Sequence, residues 1–140
     1  MEKNHHVKRI KIPIYPGILI LLFSEDPERM INEGIIAQEN APKEDEVGAC
    51  IFGGIYKGHY TFVIVMNFWN EEMPITLDST VHEINHCGNR ILNYAEAKAD
   101  FLNDEAESYL KGWIANEFQL FMQECNVTFT TTEKCSDVID

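Results

Sequence analysis

The chain has 140 residues, the size of one domain with a real core, and its 45% apolar content fits a globular chain rather than a disordered one. The formal charge of −12, from 23 acids against 11 lysines and arginines, argues against a nucleic-acid partner, whose phosphates would be repelled. Four cysteines (Cys50, Cys87, Cys125 and Cys135) form no C-x-x-C pair, which argues against a structural cysteine zinc site and suits a reducing cytosol. A bridge between Cys125 and Cys135 stays open.

Residues 7–14 set Val7, Arg9 and Lys11 against Lys8, Ile10 and Ile12, which predicts a strand, followed by a turn at Tyr15-Pro16-Gly17. The run 18–24 is a second, buried strand. Basic residues precede it, as in a secretory leader, but Pro13, Pro16 and Gly17 interrupt the segment and the charged run from Ser24 to Pro27 follows it. It is also too short to span a bilayer, so no membrane partner is expected. A cytosolic location is the expectation, with secretion left open. The sequon Asn126-Val127-Thr128 would matter only in a secreted chain.

Asp26-Pro27-Glu28 opens a short helix that Gly34 ends, because proline suits the first helical position after an acidic cap. Residues 38–46 form an acidic loop. Two β-rich runs, 49–56 and 59–68, flank Lys57-Gly58 as a hairpin. A helix follows from Thr76, its predicted N-cap, with Ile84, Cys87, Ile91 and Ala95 on the buried face and Gly88 marking a bend. Another helix covers about 103–123, and the Thr-rich tail from Asn126 is a terminal strand or loosely ordered. No repeat or linker divides the chain, so residues 1–140 read as one α+β domain of order β-β-α-β-β-α-α.

The chemistry concentrates in His82-Glu83-Ile84-Asn85-His86, an H-E-x-x-H run inside the penultimate helix. Histidines four apart project from one helix face and can grip one metal ion, most often zinc. Glu83, beside the first histidine, can take a proton from a metal-activated water. A catalytic zinc site needs a third protein ligand. Position 92 is leucine, which excludes a third histidine in the extended motif. The last helix offers acids instead. Glu105 neighbours an apolar stripe of Ala106, Tyr109, Leu110, Trp113, Phe118 and Phe121, which would place its carboxylate at the core edge. Glu107 competes, although this phase turns it toward solvent; Glu96, Asp100 and Asp104 are further candidates.

HEINH followed by Asn103-Asp104-Glu105-Ala106 resembles the gluzincin type of zinc metallopeptidase, over about residues 76–114. In that type a second helix supplies the third ligand, often within an N-E-A-like run, from which this chain departs by one extra residue. Residues 104–113 also resemble small zincin-like peptidases of phages and gut bacteria. The resemblance implies a minimal zincin-like domain, with a small, mostly antiparallel sheet packed on the HExxH helix and a second long helix after it. It implies Zn²⁺ held by His82, His86 and Glu105, with Glu83 as general base for peptide-bond hydrolysis. Tyr109, one turn beyond Glu105, and His59, at the hairpin, are candidate donors to the oxyanion. The partner would be a peptide or protein substrate, paired along the 59–68 strand, with room for a further protein that completes the cleft. The alternative is a zinc-binding module of this kind without proteolysis; a plain acidic interaction domain without metal is the third reading.

Overall fold

The computed structural model describes residues 4–35, 49–56, 59–67, 75–97 and 104–130. They form the expected order: β1 (His5–Lys11), β2 (Ile18–Ser24), α1 (Pro27–Asn32), β3 (Ala49–Tyr56), β4 (His59–Asn67), α2 (Leu77–Tyr94) and α3 (Glu105–Glu124). The sheet order is β1-β2-β4-β3. β1 pairs antiparallel with β2, β3 antiparallel with β4, and β2 parallel with β4. The architecture is therefore a small α+β domain around a mixed sheet. Among the described residues no helix is long and apolar enough to cross a membrane. The predicted acidic loop and the Lys57-Gly58 turn lie outside the described residues, as does Cys135. Cys125 is a free thiol.

β2 is apolar from Ile18 to Phe23 because both of its faces are covered. Leu19, Leu21 and Phe23 join the main core with Phe62 and Ile64 of β4 and the inner faces of α2 and α3. Ile20 and Leu22 face the other way, onto Met30 and Ile35 around α1. Phe23 anchors α3 through the rings of Phe118 and Phe121, at centroid distances of 5.6 and 4.8 Å. α2 lies over β3 and β4. β1 ends three residues earlier than its pattern predicts. The bend spans residues 13–17 and includes an exposed Ile14 at φ 70°, a costly value for a β-branched residue, as well as Gly17 at φ 114°.

The helix limits follow local chemistry. Asp26 accepts from the Arg29 amide at 3.1 Å, and Thr76 caps α2 by accepting from the Ser79 amide at 3.1 Å. All three helices end alike. Gly34, Glu96 and Asn126 sit at positive φ, and the next amide bonds back to Met30, Leu92 and Met122 respectively. After α3 the chain runs without regular structure through 127–130, where the Thr130 amide returns to the Ile75 carbonyl at 2.8 Å.

Gly88 does not end or divide α2, which runs through it to Tyr94. It is buried because the Lys111 stem of α3 lies against it; an added Cβ would stand 2.7 Å from Lys111 Cγ. The glycine makes room for a neighbouring side chain.

A polar chain ties β1 to α1. His5 Nδ1 meets Ser24 Oγ at 2.8 Å and His5 Nε2 meets Glu33 Oε2 at 2.9 Å. The Ser24 hydroxyl also accepts from the Asp26 amide at 3.0 Å. Burial raises the Glu33 pKa, but hydrogen bonds from His5 and Arg29, with their charges, outweigh it and hold the group below its ordinary 4.5.

Two outcomes follow. A folded-state pKa below the unfolded one means that Glu33 contributes stability above the unfolded value and loses it as pH falls through the folded value. Stability against urea should therefore fall progressively below pH 4.5, and Glu33→Gln should flatten that part of the profile. For Gly88→Ala, helix propensity favours alanine by about 1 kcal/mol, but the methyl collides with Lys111. The substitution should lower stability in the wild-type background and raise it by about 1 kcal/mol once Lys111→Ala has removed the stem, as read by denaturant titration.

Candidate metal centre

α2 buries Thr80, Ile84, Cys87, Gly88, Ile91 and Leu92. This stripe fixes the rotation of the helix, and at 100° per residue it turns His82 and His86 away from the core. Both are exposed, as are Val81 and Asn85, while Glu83 lies half-buried on the flank between the two faces. The motif therefore sits on the outward side of a helix whose inward side packs over the sheet.

On that face the two imidazoles converge. Their Nε2 atoms are 3.1 Å apart, and the rings meet edge to face with centroids 4.6 Å apart. Without a metal, one ring donates and the other accepts. Two nitrogens this close could both reach one ion at a zinc–nitrogen bond length of about 2.0–2.1 Å. The pair thus fits two ligand positions. Cys87, beside His86, is no competitor: it is buried among apolar side chains, and burial pushes its thiol up to about 12.

The expected third ligand is not beside them. Among the described residues no three His, Cys, Asp or Glu side chains form a group that could hold a metal. The phase of α3 explains where its acids go. Leu110, Ile114, Phe118, Phe121 and Met122 are its buried residues. That stripe leaves Glu105 and Ala106 exposed and Tyr109 76% exposed, so the core-edge placement of Glu105 and the inward placement of Ala106 and Tyr109 are corrected. Glu107, three residues before Leu110, is the half-buried acid, against the expectation that it faces solvent. Its carboxylate pairs with Lys111, four residues on. Lys111 also donates to Asn85 Oδ1 at 2.6 Å, inside the motif of α2. Sequence reasoning missed this cross-helix contact, although the Glu107–Lys111 spacing is that of a helical ion pair.

Of the remaining candidates, Glu96 takes the left-handed position that ends α2, and Asp104 is the exposed N-cap of α3, making no side-chain cap bond. Asp100 lies outside the described residues. His59 opens β4. β4 is an interior strand between β2 and β3, so it has no free edge for a peptide; among the described residues the two edges belong to β1 and β3. Compared with family models, with curated proteins and with solved structures, the chain matches none.

Proposed function

We propose that the chain is a zinc-dependent hydrolase of peptide bonds, built as a minimal zincin-like domain, with His82 and His86 as two metal ligands, Glu105 as the third and Glu83 as general base. The observation that carries this reading is the approach of the two Nε2 atoms to 3.1 Å on an exposed helix face. Zinc held there would polarise a carbonyl and lower the pKa of a water toward about 7. Glu83 is the adjacent carboxylate, half-buried and still open to solvent, placed to accept a proton and return it to the leaving amine. Glu105 stands in the first turn of α3, and no ion pair holds its carboxylate among the described residues. It is therefore free to turn toward a metal in a way that Glu107, paired with Lys111, is not. Tyr109 lies four residues on, on the same exposed side, as a candidate donor to an oxyanion. An extended peptide would pair with the edge of β3, the edge strand against which α2 packs.

Exposure of both histidines favours a second reading, a zinc-binding module without proteolysis that uses this open face toward a protein partner. Metal analysis and peptide cleavage separate the two. Purified protein should carry about one zinc per chain, as two histidines and a carboxylate would hold, and His82→Ala should lose it. Wild type should cleave members of a random peptide library, and Glu83→Ala should cut them at least about 100-fold more slowly while keeping its zinc. Zinc without cleavage would favour the module, and protein devoid of zinc would sink both readings.

A further inference from the structure

His5 is a buried ionisable side chain outside the metal motif. Its side chain is 3% exposed, and both ring nitrogens are engaged: Nδ1 meets Ser24 Oγ and Nε2 meets Glu33 Oε2. The first residue of β1, the last of β2 and the residue that ends α1 thus share one contact. Glu33 also accepts from Arg29 Nε at 2.9 Å. Two further acids follow Ser24 in the chain, and both serve backbone amides: Asp26 that of Arg29, and Glu25 that of Asn4 at 3.0 Å. On β1 the next charged side chain on the face of His5 is the exposed Arg9. α1 itself is six residues long, too short to stand alone, and rests on the small second core of Ile20, Leu22, Met30 and Ile35.

We propose that the Ser24–His5–Glu33 contact is an acid-released latch. It holds α1 on Ile20 and Leu22 of β2 at neutral pH and lets that helix go in acid, ahead of the rest of the fold. It requires no metal. A neutral ring accepts from the Ser24 hydroxyl and donates to Glu33, and a protonated ring donates to both, so either form is satisfied while Glu33 is ionised. With both groups protonated, an imidazolium shut off from water faces a neutral carboxyl. A buried charge that has lost its counter-ion is strongly destabilising, and the ring regains water when α1 leaves. Arg29, with 55% of its side chain exposed, stays hydrated in either state. Burial raises the Glu33 pKa, but its bonds to His5 and Arg29 hold it below the ordinary 4.5. The latch is therefore closed above that pH and opens as pH falls through the folded value. The buried residues of the main core carry no charge to lose in acid, so α2 and α3 stay in place.

Amide hydrogen exchange of the full chain, read as protection factors at about pH 7, about pH 5 and about pH 3.5, tests the latch. The amides of Met30, Glu33 and Ile35, bonded to the Asp26, Arg29 and Met30 carbonyls, report on α1. Those of the buried Ile114 and Phe118 report on α3. Wild type should keep its α1 protection at about pH 5 and lose it about tenfold by about pH 3.5, while α3 keeps its own. Glu33→Gln leaves the ring without a counter-ion at any pH, so its α1 should open already at about pH 5. His5→Gln removes the ionisable ring and should keep α1 protected throughout. No loss in wild type overturns the proposal, as does an equal loss in α3. So does α1 protection retained by Glu33→Gln at about pH 5, or a loss in His5→Gln as deep as that in wild type. If His5→Gln does not fold, the contrast between wild type and Glu33→Gln at about pH 5 decides.

Discussion

Burial of β2 on both faces is the constraint from which the rest of the arrangement follows. A strand with Leu19, Leu21 and Phe23 on one side and Ile20 and Leu22 on the other cannot lie at a wet surface. It needs a helix layer on each side. The short α1, with Met30 and Ile35, covers one; α2 and α3 cover the other. The parallel register with β4 aligns Leu19 with Phe62 and Leu21 with Ile64, so the inner face continues into the strand under α2. The rotation of α2 is then decided by its own apolar stripe. His82 and His86 face outward because Ile84, Cys87 and Ile91 must face inward. The placement of the imidazoles is thus a consequence of core packing two layers below them.

That separation would suit the metal role proposed for the pair. Imidazoles packed into the core would lose their hydration and need buried partners. On the outer face they stay exposed and meet through an Nε2–Nε2 hydrogen bond of 3.1 Å and an edge-to-face ring contact. Glu83 occupies the flank, half-buried between the two faces. Such a helix can present two ligands without any other element, but it cannot supply a third. In the proposed zinc site a third ligand would have to come from another element, and among the described residues α3 is in polar contact with the motif, through Lys111.

Much of the fold was legible because it rests on local chemistry. Asp26-Pro27 and Gly34 bound α1, Thr76 starts α2, and the continuous apolar run marks β2. What escaped depends on distant pairing or on competing phases. Nothing local says that β4 lies between β2 and β3; the hairpin is visible, but the parallel partner lies some forty residues upstream. In α3 the first turn admits two phases. Ala106 and Tyr109 suggest one, whereas Phe118, Phe121 and Met122 settle the other by packing on Phe23 and the core around it. The aromatic ring of Tyr109 looked like core and is surface. Gly88 reads as a bend in the sequence because its role depends on Lys111, far away along the chain.

The same phase correction bears on the choice of acid. Glu105 and Glu107 differ by two residues, or about 200° around the helix, so a stripe that buries one side of α3 must separate them. Glu107 goes to the inner flank, where an unpaired carboxylate would be costly, and Lys111 neutralises it. Glu105 goes to the first-turn surface, where the helix dipole favours a negative charge and no partner is required. A carboxylate already satisfied by an ammonium would give up that partner to bind a metal. One held only by solvent and a helix dipole gives up much less. On these energetics the exposed acid, farther from the core than expected, would be the better third ligand in the zinc site proposed for the outer face of α2.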